Sequence, residues 1–186
     1  MPRPWRSGVF VPAAWLPIAV LLGLAACGDS SSKGQASQLE DFVAQASDFE
    51  CLQNWVRVRN MRVTNKLGHL EEAVKFAQDL PEGHQFPVGT IVQLFPGEAM
   101  VKRGPSFDPN NHNWEYFELD VSQDGTMIRK RGRDEIINMF GGQCFGCHVA
   151  AKPFDFICEE DHGCVKLPVT GAQIAALQDV DPRCKK

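Results

Sequence analysis

The stretch Cys144-Phe145-Gly146-Cys147-His148 constrains this chain more than any other. Two thiols three residues apart, followed at once by a histidine, form the CxxCH pattern. In it both sulfurs add to the vinyl groups of one porphyrin, and the histidine is carried under the iron. The motif therefore predicts one covalent haem c, with Cys144 and Cys147 as thioether donors and His148 as the axial iron ligand. The other ring nitrogen of such a histidine ordinarily donates to a carbonyl or carboxylate, which fixes the tautomer. Two plainer uses of these residues compete: a thioredoxin-like redox pair and half of a zinc site. The redox pair belongs after an early strand of a βαβ unit, and this motif stands late in 186 residues. A zinc site needs a second matching pair, and none stands at the usual spacing.

The N-terminus reads as a targeting segment. Arg3 and Arg6 precede an apolar run from Val9 to Ala26, broken by Pro12 and Pro17. The run ends in Leu24-Ala25-Ala26-Cys27, which is similar to a bacterial lipobox. It is short and broken for a spanning helix. We expect residues 1–26 to be a lipoprotein signal peptide, Cys27 to carry lipid, and residues 27–37 (GDSSSKGQAS after the cysteine) to be a tether. An ordinary signal peptide or a single membrane anchor is the alternative. Residues 38–186 are then the haem c-binding domain, large enough for one core, anchored to a membrane on the periplasmic side of a bacterial envelope. Removing the leader takes two arginines from a chain whose net charge is −4. That balance argues against nucleic acid as a partner, because phosphate binding needs a basic surface.

Four further cysteines remain: Cys51, Cys158, Cys164 and Cys184. An even number in an exported chain reads as two disulfides. Three pairings are open; Cys158–Cys164 across a short loop, with Cys51–Cys184, is favoured.

Periodicity supplies the elements. Helical spacing over residues 38–49 and acidic residues opening residues 71–80 predict two helices. Residues 55–59 alternate apolar and charged, a strand signature, as do residues 89–95, 98–103, 113–121 and 126–131. A short helix is expected over residues 134–140, another from the haem motif to about Ala151, and a third over residues 170–180 with Ile174, Leu177 and Val180 along one side. Residues 155–158 are expected to be extended. Strands in the middle with helices at both ends give an α+β domain around an antiparallel sheet.

Placing CxxCH behind a run of strands is unlike a small helical cytochrome c. Phe86-Pro87-Val88-Gly89-Thr90-Ile91-Val92, Glu98-Ala99-Met100-Val101-Lys102 and Asn113-Trp114-Glu115-Tyr116-Phe117 precede the motif, and Ala151-Lys152 and Asp155-Phe156 follow it. In this order, over roughly Trp55 to Pro168, the chain resembles the cytochrome P-460 family and its relatives, the beta-type cytochromes c-prime. The resemblance implies a haem packed against the sheet, a histidine-ligated iron, an apolar distal pocket and a homodimer formed through the sheet. Some members oxidise hydroxylamine and carry a lysine cross-linked to the haem; the matching position here is Leu94. Glu98 matches a carboxylate that accepts protons in the enzymatic members.

The ligand opposite His148 decides the function. Met61, Met100, Met127 and Met139 are the methionine candidates, each also a plain core residue. Met100 leads as the distal ligand because it shares a strand face with Glu98. His69, His84, His112 and His162 stand beside glycine, asparagine or charge and read as exposed loop residues. Among the aromatics, alternation puts Trp114 and Tyr116 on one face and Phe117 on the other. Three functions stay open. The first is a mono-haem cytochrome that binds a diatomic ligand such as nitric oxide or passes one electron to a redox partner protein. The second is an oxidoreductase acting on hydroxylamine or a related nitrogen species, with Glu98 moving protons. The third is a structural lipoprotein using CxxC as a disulfide.

Overall fold

The computed structural model describes residues 40–184. Its centre is a six-stranded antiparallel sheet whose strands lie in chain order: β1 (Val56–Val58), β2 (Met61–Asn65), β3 (Thr90–Gln93), β4 (Glu98–Lys102), β5 (Trp114–Ser122) and β6 (Gly125–Gly132). Among the described residues three α-helices accompany it: α1 (Leu70–Asp79), α2 (Cys144–His148) and α3 (Gly171–Asp179). The class is α+β, as expected, and the last four strands fall within two residues of the periodicity. The signal peptide over residues 1–26, Cys27 and the tether over residues 27–37 lie outside the described residues. Within them, no helix is long and apolar enough to cross a membrane.

Several elements differ from expectation. The strand expected over residues 55–59 is the first arm of a hairpin. Arg59 takes a left-handed backbone (φ 52°) and Met61–Asn65 returns beside Val56–Val58. Residues 40–49 form no α-helix, only a 3-10 turn at Ala46–Asp48. Their shape is set by long-range bonds: Asp41 holds Arg103 Nη2 at 2.7 Å and Nε at 2.9 Å. Residues 134–140 are irregular too, because Asn138 Oδ1 accepts from Phe140 N and Gly142 N, each at 3.0 Å. Such local side-chain bonds compete with helix. The helix that carries CxxCH ends at His148 and continues as 3-10 to Phe154. Asp155 and Phe156 are left-handed (φ 53° and 62°) rather than extended. In α3, Thr170 and Gln173 form a capping box and Ile174 is buried, but Val180 is 72% exposed and Gln178 is buried in its stead.

Strand alternation sorts the core into two layers. Val63, Val92, Met100, Trp114 and Tyr116 face one way, where Ala73 and Ala77 of α1, Ile136, Phe156 and Ile157 cover them. Ile91, Ala99, Val101, Phe117 and Leu119 face the other way, against Ala44, Phe49, Leu52 and Trp55. The expected split of Trp114 and Tyr116 from Phe117 is thus observed. Cys51 is bonded to Cys184, and Cys158 to Cys164, the favoured pairing. A buried Asp181–Arg183 pair braces the first disulfide. Asp181 Oδ2 accepts from Leu52 N at 3.0 Å, and Arg183 Nη1 donates to Phe49 O at 3.0 Å.

Candidate functional site

A cleft of about 330 Å³ opens on the Tyr116 side of the sheet. That lies within the usual range for a small-molecule site. Val92, Leu94, Met100 and Tyr116 form its floor, and α2 forms one wall. The Cys158–Cys164 loop and residues 165–169 border it elsewhere.

Helix α2 explains why the motif faces the cleft. Positions i, i+3 and i+4 share one side of a helix, so Cys144, Cys147 and His148 point together, and all three line the cleft. The backbone N of Cys144 donates to Ile136 O at 3.0 Å and fixes where the helix begins. Cys144 is buried, which pushes its thiol up to about 12, while Cys147 is exposed. Neither is bridged, although the other four cysteines among the described residues are.

His148 Nδ1–H donates to the Phe156 carbonyl at 2.7 Å. A carbonyl only accepts, so the proton sits on Nδ1 and the neutral ring carries its lone pair on Nε2. Burial lowers the histidine's pKa and favours the neutral ring, while the bond to the Phe156 carbonyl acts the other way. Nε2 has no hydrogen-bond partner among the described residues. The Tyr116 ring stands edge-on to the imidazole, centroids 5.4 Å apart. Cys144, Cys147 and His148 therefore line one wall of a mainly apolar cleft.

The other sequence candidates separate cleanly. Glu98 lines the cleft and also a second cavity of about 480 Å³. Its Oε1 accepts from Met139 N at 2.6 Å, and burial, with Glu118 adding, pushes its pKa up. Of the four methionine candidates, Met100 and Met61 line the cleft. Met127 and Met139 are exposed. Leu94 lines the cleft at the position matched to the cross-linking lysine. Lys102 turns away: its Nζ lies 2.8 Å from both Asp155 oxygens, and burial lowers it to about 8 against the pull of that carboxylate. Among the described residues His148 is the one histidine lining the cleft. His84 is exposed, but two of the other three expected loop histidines are not free. His162 is buried edge-on against Phe154, centroids 4.2 Å apart, and His112 is bonded to Asp155.

The residues that pattern reading missed are Phe156, which acts through its carbonyl, and Asp155 beside it. A backbone acceptor has no residue signature. Among the described residues no three His, Cys, Asp or Glu side chains gather as a metal site. No family model, no curated protein and no solved structure matches the chain.

Proposed function

We propose that the chain is a mono-haem c-type cytochrome resembling the cytochrome P-460 family, exported and lipid-anchored through Cys27. Its cleft would bind a diatomic ligand such as nitric oxide, or pass one electron to a redox partner protein. The observation that carries this is His148. Its Nδ1–H is committed to the Phe156 carbonyl, which leaves Nε2 as a donor in a cleft that both Cys144 and Cys147 line. That is the tautomer an axial ligand needs. Bound there, the haem supplies an iron able to take one electron or one small ligand. Cys144 and Cys147 would hold the ring, His148 would give a nitrogen to the iron, and the apolar side chains of Val92, Leu94 and Met100 would keep water from that part of the cleft. A single axial nitrogen is all that α2 is asked to give, so a cluster of protein ligands is not required. The free thiols of Cys144 and Cys147 weigh against the purely structural disulfide.

One observation supports the oxidoreductase as a second reading. Glu98 is a carboxylate of raised pKa at the cleft, suited to proton transfer. Leu94 cannot form the family's cross-link, which weighs against hydroxylamine chemistry of that kind.

The test is the protein purified after periplasmic expression. Pyridine haemochrome should report one covalent haem, and its absence would refute the proposal. Ferrous spectra with and without nitric oxide then divide the readings. A five-coordinate spectrum that shifts with the gas supports ligand binding, and an unresponsive six-coordinate one supports electron transfer with Met100 or Met61 as ligand.

A further inference from the structure

We propose that Asp155 is a positioning residue for His148. The buried network it centres holds the Phe156 carbonyl against the imidazole, and so sets how strongly that ring donates to a bound iron. The inference rests on the haem proposal above.

The network is built from distant parts of the chain. The Asp155 carboxylate is fully buried. It takes Lys102 Nζ at 2.8 Å on both oxygens, Phe86 N at 2.8 Å on Oδ2, and His112 Nδ1–H at 3.0 Å on Oδ1. Its own carbonyl accepts from Trp114 Nε1 at 2.7 Å. These donors come from β4, the loop before β3, the loop before β5, and β5 itself. All of them converge on the residue next to Phe156.

The backbone there is strained in two places at once. Asp155 and Phe156 are left-handed, and so are His112 and Asn113 across from them (φ 46° and 65°). The His112 and Phe156 rings meet edge to face, centroids 5.0 Å apart. None of the four is glycine, and a bulky residue such as Phe156 adopts this region only at a cost. Such geometry persists only where the surroundings over-determine it. Here it lets Phe156 N bond back to Ala151 O at 2.9 Å while Phe156 O meets His148 at 2.7 Å. Stability alone is a poor reason for the pair, since a buried Lys–Asp bridge is often no better than apolar packing. Outer partners of a ligating histidine, by contrast, tune what it does.

The experiment uses the holoprotein and four chains: wild type, Asp155→Asn, His112→Asn and, as a control, Asp181→Asn. The control breaks the other fully buried carboxylate pair, that with Arg183, away from the cleft. The readouts are the reduction potential and the ferric electron paramagnetic resonance spectrum. Asp155→Asn should loosen the carbonyl, weaken the Nδ1–H bond and favour ferrous iron. We expect about a tenfold change in the ferric-to-ferrous ratio at fixed potential, about 59 mV for a one-electron couple, with altered resonance positions. His112→Asn, on the partly exposed side of the network, should move both readouts the same way by less. It decides the matter should Asp155→Asn not fold. Asp181→Asn should lower the melting temperature and leave both readouts in place. Haem present in the wild type, with both readouts unmoved in the folded network variants, would overturn the positioning role and leave the haem reading standing. An equal shift in Asp181→Asn would overturn it too, as a mere stability effect. A wild type without covalent haem would instead remove the haem reading itself.

Discussion

On one face of the sheet, Ile91, Val101, Phe117 and Leu119 pack directly against Phe49, Leu52 and Trp55. On the other, Val92, Met100 and Tyr116 look into a cleft of about 330 Å³. Both faces come from the same alternation along the same strands, so hydrophobic patterning does not distinguish them. What differs is the cover. The first face is closed by a strap pinned with Cys51–Cys184 and Asp181–Arg183. The second is covered by α1 and by the chain around Phe156, with α2 and the Cys158–Cys164 loop leaving the cleft between them. The closed face should therefore carry stability, and the open one chemistry.

The largest test of that division is the paired change Cys51→Ser with Cys184→Ser. The bridge spans 133 residues of sequence. In the chain-entropy model its loss costs about 4–5 kcal/mol, a fall of roughly 10–20 °C in melting temperature by calorimetry. If the proposed haem is bound, its absorption should not change; a large spectral change would show that the two faces are not independent. Next comes Phe117→Ala on the closed face, expected to cost about 3–5 kcal/mol in urea unfolding. Leu94→Ala on the open face, where the side chain is only half-buried, should cost well under half as much. Equal costs would break the comparison.

The smallest effects concern pH, and their signs are opposite. Hydrogen bonding to Arg103 lowers the Asp41 carboxyl from its ordinary 3.8 to about 2. Its stabilisation is thus present above about pH 4 and lost as pH falls toward 2. Burial raises Glu98 above its ordinary 4.5. Its contribution is full below that value and is lost as pH rises through its folded pKa. Asp41→Asn should flatten the acid limb of the urea midpoint against pH. Glu98→Gln should raise the midpoint near neutrality. Asp41 is partly exposed, so its limb will be shallow.

Much of this architecture was legible because it follows local rules. The period-two pattern placed β3 to β6, put Trp114 and Tyr116 opposite Phe117, and set Glu98 and Met100 on the cleft side. Cysteine counting gave two bridges with three pairings open, of which the favoured one forms, and left the two thiols of α2. What stayed hidden depends on partners far along the chain. Strand β2 is not marked by alternation, because Arg62 between Met61 and Val63 is itself buried, on Gln178. Residues 40–49 have helical spacing, yet Asp41 is drawn to Arg103 instead. The left-handed Asp155-Phe156 turn has no local signature at all, because bonds from Lys102, Phe86, His112 and Trp114 impose it.

The long bridge also bears on biogenesis. A chain emerging N-terminus first presents Cys51 with its partner still 133 residues away. At about 5–20 residues per second, that is a wait of roughly 7–27 s. Cys158 waits about a second or less for Cys164, six residues on. During the longer interval Cys144, Cys147, Cys158 and Cys164 all arrive first, each a wrong partner for Cys51. Correct maturation thus becomes a race, in which the two thiols of α2 must be kept from oxidants until the last cysteine has been delivered.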